Sequence, residues 1–312
     1  MRAVVTGGAG FIGSALVDRL VAQGSNVLII DDLSSGSETN LEEAYCSGPG
    51  TVHLTVADIG EVGTTEAVAA HRPDVVFHLA AQVDVNSSVD DPVADAQTNL
   101  IGLLRVLNGA QLAGTRKFVF TSSGAIYGEV DPKLLPLQED TARRPLSPYG
   151  VAKLAGVYYL EAYEALHGLA GTTLALANVY GPRQDPHGEA GVVAIFAERL
   201  LSGQPCTIYG DGEQTRDFVY VGDVAEAFLA AAERADGQLL NIGTGVETSV
   251  NHLYNSMAAA AGPVEPVRGP ERLGELKRSA LSSTRANTEL GWRSTTSLEE
   301  GLSITLDWFA NR

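Results

Sequence analysis

Near its start the chain reads Ala3-Val4-Val5-Thr6-Gly7-Gly8-Ala9-Gly10-Phe11-Ile12-Gly13. A short β-branched strand leads directly into glycines spaced as G-x-x-G-x-x-G, and a segment with helical apolar periodicity follows. Glycines at such a turn let the backbone approach a bound group closely, and the first N–H groups of a helix favour an anion such as a pyrophosphate. The stretch therefore predicts the first strand, turn and helix of a nucleotide-binding α/β fold.

The rest of the first half repeats this alternation of strands and helices. Short apolar runs predict strands over residues 3–6, 27–30, 52–56, 75–78, 118–121 and 173–177. Amphipathic segments predict helices near residues 13–23, 61–71, 92–113 and 148–168. Strands that are apolar on both faces are typical of a parallel sheet covered by helices on each side. We expect an α/β fold built on a doubly wound (Rossmann) parallel sheet.

After Gly181-Pro182 the pattern changes to loops rich in Pro and Gly. The predicted elements there are a helix over 192–201 and strands near 206–209 and 218–221. They indicate a smaller C-terminal α/β lobe over the carboxyl edge of the sheet. A helix and a strand predicted over 224–233 and 239–242 return to the large domain. The predicted division is a nucleotide-binding domain over 1–177, with returning segments near 222–242, and a discontinuous substrate lobe over 178–312.

Composition narrows the class of protein. The chain has 312 residues, of which 45% are hydrophobic, so it can bury a large core and is not a disordered chain. Its formal charge of −17 disfavours nucleic acid as the main partner, because binding a polyanion needs a clustered basic surface. We interpret the charge as a source of solubility.

The sequence shows no leader before the glycine turn and no apolar stretch long enough to span a bilayer. We expect a cytoplasmic protein that does not bind a membrane. Cys46 and Cys206 are too few for a disulfide framework. The six histidines are scattered without metal-ligand spacing, so we expect no metal.

Two acids, Asp31 and Asp32, follow the second predicted strand. A carboxylate there can accept hydrogen bonds from an adenosine ribose and repels the additional 2′-phosphate of NADP. The alternative is a solvated turn. Together with the glycine turn, the pair predicts NAD as the cofactor.

Tyr149 and Lys153 lie four residues apart, about 25 residues after Thr121-Ser122-Ser123. The spacing puts both side chains on one helical face. An ammonium nearby, and the positive charge of an oxidised nicotinamide, favour the phenolate of a tyrosine. The pair is therefore a candidate proton-transfer site, and its alternative is an ordinary pair on a helix surface.

With these motifs the chain resembles the extended short-chain dehydrogenase/reductases, and specifically the UDP-glucose (UDP-galactose) 4-epimerases. The resemblance runs from the glycine turn through His78-Leu79-Ala80-Ala81-Gln82 to the closing Leu290-Gly291-Trp292. It implies that Ser123, Tyr149 and Lys153 act together on the sugar C4 hydroxyl. The implied reaction inverts C4 of a UDP-hexose through a transient 4-keto sugar, with NAD as cofactor.

Motif and resemblance together give a set of expected cofactor-binding residues. They are Gly7, Gly10, Phe11, Ile12, Gly13, Asp31, Asp32, Ser34, Ser35, Gly36, Asp58, Ile59, Leu79, Ala80, Ala81, Asn99, Thr121, Tyr149 and Lys153. For Asn99 a buried structural amide is the alternative role.

The resemblance also implies a set of substrate contacts. Besides Ser123 and Tyr149, they are Asn178 at the diphosphate, Val192 and Val193 beside the nucleotide, Thr207 and Tyr209 at the uracil, Arg216 and Arg272 on the diphosphate, Glu275 at the uridine ribose and Ser279 in the sugar pocket. A guanidinium suits phosphate oxygens. For Arg216 a surface ion pair with Asp211 or Asp217 is the alternative.

Three other functions are weighed against C4 inversion of UDP-glucose. Nucleotide-sugar 4,6-dehydratases carry an Asp-Glu pair where this chain has Gly124-Ala125, and UDP-glucuronate 4-epimerases tend to have Thr where Asn178 stands. A non-catalytic NAD-binding protein would not need Ser123, Tyr149 and Lys153 together.

The small Ser279 leaves room for a 2-acetamido group, so we also expect activity on UDP-N-acetylglucosamine. The resemblance further implies a homodimer, paired through the helices near 92–113 and 148–168.

Overall fold

The computed structural model describes residues 1–46, 48–187, 191–262, 264–271 and 276–312. The described strands are β1 (Arg2–Thr6), β2 (Asn26–Asp31), β3 (Thr51–Val56), β4 (Val75–His78), β5 (Lys117–Ser123), β6 (Ala170–Leu176), β7 (Asn178–Tyr180), β8 (Thr207–Tyr209), β9 (Thr215–Arg216), β10 (Phe218–Tyr220), β11 (Gln238–Ile242), β12 (Thr248–Ser249) and β13 (Val267–Gly269). The described helices are α1 (Phe11–Ala22), α2 (Glu42–Cys46), α3 (Gly63–His71), α4 (Val85–Asp90), α5 (Pro92–Ala96), α6 (Leu103–Ala113), α7 (Pro148–His167), α8 (Val192–Leu201), α9 (Val221–Ala231), α10 (Val250–Ala261), α11 (Thr284–Leu290) and α12 (Leu298–Asn311). A π-helical segment, Gln97–Gly102, joins α5 to α6.

Seven parallel strands form the central sheet in the order β11-β6-β5-β4-β1-β2-β3. The strand order reverses at β1, where Thr6 pairs with Ile30 on one side and His78 on the other. In sheets of this kind, ligands bind at the carboxyl ends of the strands where the order reverses. The predicted doubly wound sheet is confirmed, and its crevice lies between the ends of β1 and β4.

Helices cover both faces of the sheet because neighbouring residues of the inner strands point in opposite directions. Val4 and Val76 belong to the core that lies under α3 and α6. Val5 and Phe77, the next residues along the same strands, belong to the core that lies under α1 and α9. This double burial explains why these strands are apolar runs instead of alternating patterns.

A separate core, built on α8, α10 and α12, lies in the second half of the chain. Its members include Phe196, Leu253 and Phe309, with Ile208 of β8. The predicted helix over 192–201 is α8 with the same bounds. Helix α9 packs against α1, and β11 pairs with β6, so this part of the chain returns to the large sheet. The proposed domain division at residue 177 stays a prediction.

Candidate active site

Two glycines of the turn after β1 have no room for a side chain. Gly7 has a φ of +70°, and a Cβ there would lie 2.6 Å from the backbone nitrogen of Ala80 in the loop after β4. A Cβ on Gly13 would lie 2.0 Å from the carbonyl oxygen of Gly7. Gly10 directly precedes α1, and Phe11 and Ile12 are the first two residues of this helix. The turn therefore places bare backbone and the start of a helix at the crevice, as a pyrophosphate site requires.

Asp31, the last residue of β2, is tied to this turn. Its carboxylate is 6% exposed and accepts hydrogen bonds from the backbone N–H groups of Ala9 and Leu33, both at 2.9 Å. Burial raises the pKa of Asp31, and the two N–H groups oppose that rise. A Cβ on Gly36 would lie 3.0 Å from the same carboxylate. Asp31 is therefore a buried, ordered group and not part of a solvated turn.

A cavity of about 360 Å³ opens beside Asp31, beyond the ends of β2, β3 and β4. Seven of its lining residues are predicted cofactor contacts: Asp32, Ser34, Ser35, Asp58, Ile59, Ala80 and Ala81. Five others were missed by the sequence analysis: Ala57, Gln82, Val83, Asp84 and Thr98. Two of these five, Ala57 and Gln82, adjoin predicted contacts in the loops after β3 and β4, and Thr98 adjoins Asn99, so adjacency was the signal available for these three. The lining includes three acids and neither Lys nor Arg, which suits a ribose with free hydroxyls and disfavours an additional phosphate.

Ser123 and Tyr149 meet where β5 ends and α7 begins. Ser123 is the last residue of β5. The Ser147 side chain accepts a hydrogen bond from the Gly150 N–H at 3.1 Å, and Pro148 occupies the first helical position, so the start of α7 is well defined. The Ser123 side chain lies near the Tyr149 phenol and acts to lower its pKa. The structure thus brings together two residues that lie 26 positions apart.

Lys153 lies one turn further along α7 and is 3% exposed. Its Nζ donates to the carbonyl oxygen of Thr121 at 3.0 Å, and lies 5.3 Å from the Phe120 ring centroid and 5.8 Å from that of Tyr149. The predicted triplet of Ser123, Tyr149 and Lys153 is therefore a compact group at the carboxyl end of the sheet.

Burial changes the pKa of both titratable members of this group. Burial raises the pKa of Tyr149 to about 12, against the opposing effect of the nearby Ser123 side chain. Burial also lowers the pKa of Lys153 to about 8. Burial therefore opposes the phenolate that the Lys153 ammonium and an oxidised nicotinamide are expected to favour. Additional positive charge is needed to stabilise the phenolate.

Asn99 lies in the π-helical segment and is 2% exposed. Its Nδ2 donates to the Gln82 carbonyl at 2.9 Å and to Asp95 Oδ1 at 2.8 Å, while its Oδ1 accepts from the Gln82 N–H at 3.0 Å. The structure thus places Asn99 as a buried amide that holds the loop after β4. Sequence analysis missed Asp95 and Gln82; an acid four residues before Asn99 was the only signal.

The predicted substrate residues lie on the second half of the chain. Asn178 is the first residue of β7 and is exposed. Val192 and Val193 are the first residues of α8, and Thr207 and Tyr209 are the first and last residues of β8. Ser279 is half-buried. Tyr209 lines a cavity of about 440 Å³ together with Gly210, Gln214 and Leu276. Arg272 and Glu275 lie outside the described residues.

Arg216 lies in the two-residue strand β9 and is half-buried. Its Nη1 donates to the carbonyl oxygens of Thr215 and Leu276, each at 2.8 Å. The carboxylate of the neighbouring Asp217 accepts hydrogen bonds from Thr244 and from the Leu281 N–H. Arg216 is therefore held beside the segment that closes the 440 Å³ cavity.

Residues 3–243 match the model of the NAD dependent epimerase/dehydratase family. The chain belongs to this family. Over 315 aligned residues, the epimerase/dehydratase is 50% identical to a UDP-glucose 4-epimerase of Mycolicibacterium smegmatis, and the match covers 100% of this chain and 99% of the relative.

Two crystal structures are similar to the epimerase/dehydratase over its whole length. One is a UDP-glucose 4-epimerase from Thermotoga maritima with UDP-glucose, with a TM-score of 0.95, 46% identity and coverage of 100% of this chain and 99% of that one. The other is a UDP-glucose 4-epimerase from Thermus thermophilus in complex with NAD, with a TM-score of 0.91, 43% identity and coverage of 99% of both chains.

The site of this epimerase/dehydratase fits NAD, the cofactor of the family. Gly7 and Gly13 leave no space for a Cβ, the buried Asp31 carboxylate stands at the end of β2, and the lining of the adjoining cavity includes three acids. Over the same described ranges, no three or more His, Cys, Asp and Glu residues form a group that could hold a metal ion. Nor is any described helix long and apolar enough to cross a membrane.

Proposed function

We propose that this epimerase/dehydratase is a UDP-glucose 4-epimerase, which inverts the C4 hydroxyl of a UDP-hexose with NAD as cofactor. The observation that carries the proposal is the grouping of Ser123, which acts on the pKa of Tyr149, with Lys153, whose Nζ donates to the Thr121 carbonyl oxygen one turn further along the helix. Each lies at the carboxyl end of the sheet, in a chain that aligns end to end with UDP-glucose 4-epimerases.

Each member of the triplet has a separate task in the proposed reaction. Tyr149 takes the proton of the sugar 4-hydroxyl and later returns it to the 4-keto sugar. Ser123 holds the same oxygen by a hydrogen bond. Lys153 supplies the positive charge that makes the Tyr149 phenol more acidic and binds the nicotinamide ribose. Bound NAD supplies the acceptor and donor of the C4 hydride.

The protein has to hold the nucleotide firmly while the 4-keto sugar turns over. We assign the nucleotide end to Asn178, Val192, Val193, Thr207, Tyr209 and Arg216, together with Arg272 and Glu275. The ordered Arg216 and the cavity beside Tyr209 support this assignment. The sugar needs few direct contacts, since a tightly held ring could not present its other face.

Alternative reactions need groups that the proposed site lacks. Elimination of water across C5 and C6 requires an acid and a base near the serine, but Gly124 and Ala125 form a short turn in which the Ala125 N–H donates to Ser123 Oγ at 3.2 Å. No carboxylate stands at these two described positions, which favours epimerisation over dehydration. We rank a UDP-glucuronate substrate lower because of Asn178.

A homodimer is part of the proposal. The face formed by α5 and α7 exposes large apolar side chains, with Val93 78%, Val151 54% and Tyr158 53% exposed. Pairing of two such faces through the helices over 92–113 and 148–168 would cover them. Light scattering of the purified protein is expected to give the mass of two chains, and the mass of one chain would contradict the dimer. Cytoplasmic localisation also stays a prediction.

One experiment separates the candidate functions. The purified protein is incubated with NAD and UDP-glucose in deuterated buffer, and the sugar is analysed by proton NMR. We expect UDP-galactose that carries protium at C4, because the hydride removed from the sugar is the one returned. Deuterium at C4 would exclude this mechanism, and a 4-keto-6-deoxy product would indicate a dehydratase. Unchanged UDP-glucose, with inversion of UDP-glucuronate in a parallel reaction, would indicate a UDP-glucuronate 4-epimerase, and no change in either sugar would indicate a non-catalytic NAD-binding protein.

A further inference from the structure

A buried carboxylate lies next to the catalytic triplet and belongs to neither predicted set. Asp95 of α5 is 2% exposed. Its Oδ1 accepts hydrogen bonds from Gln82 Nε2 at 3.0 Å and Asn99 Nδ2 at 2.8 Å. Its Oδ2 is buried and has no hydrogen-bond partner among the described groups. A carboxylate withdrawn from water in this way is costly unless it interacts with a positive charge.

The backbone aims Asp95 inward. Helix α5 packs against α7, the helix that carries Tyr149 and Lys153. The π-helical segment begins two residues after Asp95, and both Asp95 and Asn99 are buried within this stretch. Wider turns of this kind are frequent at functional sites. Here the regular α-helix is interrupted, and one acid and one amide are buried beside the interruption.

The titratable groups that face Asp95 are the two on α7. The charge of Asp95 favours the ammonium form of Lys153 and disfavours the phenolate form of Tyr149. From the sheet, His78 of β4 also faces Lys153, but burial lowers its pKa to about 3, so it is neutral at ordinary pH. On α4, the acid Asp90 is exposed. Asp95 is therefore the buried charge that acts on both catalytic groups.

We propose that Asp95 is a positioning residue, whose carboxylate keeps Lys153 charged and thereby sets the upper pH limit of proton transfer at Tyr149. The proposal rests on the proposed function for its catalytic consequence. Its physical part, the coupling of Asp95 to Lys153, can be measured without turnover. Gln82 and Asn99 hold the carboxylate in place by occupying its other oxygen.

The chain offers a direct measurement, because it contains only four lysines: Lys117, Lys133, Lys153 and Lys277. Protein labelled with ¹³C at lysine Cε gives only a few NMR signals, and the signal that is missing from Lys153→Met is the signal of Lys153. In the wild type we expect this signal to titrate near pH 8. In Asp95→Asn the midpoint should fall by about one pH unit, since the nearby negative charge is gone. The matched control, Asp90→Asn, removes an exposed acid and should leave the Lys153 midpoint unchanged.

Turnover supplies the second measurement. In Asp95→Asn the alkaline limb of the kcat profile should move down with the Lys153 midpoint, while KM for UDP-glucose at pH 7 stays within about twofold, because Asp95 acts through Lys153 and not on the nucleotide. Asp95→Glu restores the charge and should restore most of the profile. An unmoved Lys153 midpoint in Asp95→Asn overturns the proposal. Absence of turnover in the wild type, with the midpoint shifted in Asp95→Asn, overturns only the epimerase assignment.

If Asp95→Asn does not fold, the coupling of Asp95 to Lys153 can be measured on the Asp95 carboxylate of the wild type. In protein labelled with ¹³C at aspartate Cγ, the Asp95 signal should show an inflection near pH 8, as Lys153 loses its proton. That inflection should vanish in Lys153→Met. A wild-type Asp95 signal that is flat through this range contradicts the coupling.

Discussion

Lys153 Nζ donates a hydrogen bond to the carbonyl oxygen of Thr121 at 3.0 Å, which ties the first turns of α7 to the end of β5. Ser122 Oγ donates in the other direction, to the carbonyl oxygen of Lys153 at 3.5 Å. The positions of Ser123 and Tyr149 are thus fixed by the junction of one strand and one helix. Such a rigid junction can hold a proton-transfer pair in place before substrate binds.

We predict that Tyr149→Phe lowers kcat by about 10²- to 10⁴-fold, because the phenol oxygen is the proposed proton carrier. Binding of NAD and UDP, measured by calorimetry, should be largely retained, since the ring and its packing remain. The control is Tyr158→Phe, which removes an exposed hydroxyl from the same helix. Activity in Tyr149→Phe close to that of Tyr158→Phe would mean that another group carries the proton.

Sequence reasoning anticipated the parts of the fold that local patterns determine. The apolar runs predicted six strands of the sheet to within a few residues. The alternation of strands and helices predicted that the sheet is parallel. Gly7 and Asp31, which follow β1 and end β2, located the crevice. The contact between Ser123 and Tyr149 followed from the resemblance, not from spacing.

The remaining features depend on tertiary contacts between distant segments. Asp95 accepts a hydrogen bond from Gln82, 13 residues earlier in the chain, and a π-helical segment interrupts the helical pattern predicted over 92–113. The two-residue strands β9 and β12 carry too few residues for any periodicity. The direction of the pKa change at Tyr149 depends on burial by the whole fold, which the spacing of Tyr149 and Lys153 does not show.

We predict that Gly13→Ala weakens NAD binding by tenfold or more, because the new Cβ would lie 2.0 Å from the Gly7 carbonyl oxygen and the turn has to shift. Overpacking of this kind also costs about 1–3 kcal/mol of stability. The control is Gly63→Ala in α3, where nothing lies within 4 Å of the added Cβ. Equal NAD affinities in the two variants, measured by calorimetry, would contradict a pyrophosphate site at this turn.

We predict that the wild type also converts UDP-N-acetylglucosamine and that Ser279→Tyr removes this activity. Ser279 is half-buried, and a tyrosine there would fill the volume left for a 2-acetamido group. Turnover of UDP-glucose should stay within about threefold, since its smaller 2-hydroxyl needs less room. Ser279→Ala is the control and should retain both activities. A wild type with no activity on either acetylated sugar would refute this role for Ser279.

The burial of Lys153 makes its contribution to stability depend on pH in a defined direction. The pKa is lowered from 10.5 to about 8 in the folded chain, because burial disfavours the ammonium. Below pH 8 the folded and unfolded states are both protonated, and the cost of burying the charge is fully present. Between pH 8 and 10.5 the folded state has released its proton while the unfolded state still holds it, so the unfolded state binds more protons and stability rises with pH.

We therefore predict that the stability of the wild type increases relative to Lys153→Met between pH 7.5 and pH 10, by an amount on the order of 2–3 kcal/mol. Urea unfolding of both proteins at the two pH values measures the change, and taking the difference cancels the titration of all other groups. Lys133→Met, which alters an exposed lysine, is expected to show a difference that does not vary with pH. If the wild type and Lys153→Met differ by the same free energy at both pH values, Lys153 does not lose its proton within the folded chain in this range, and its charge cannot set the alkaline limit of catalysis.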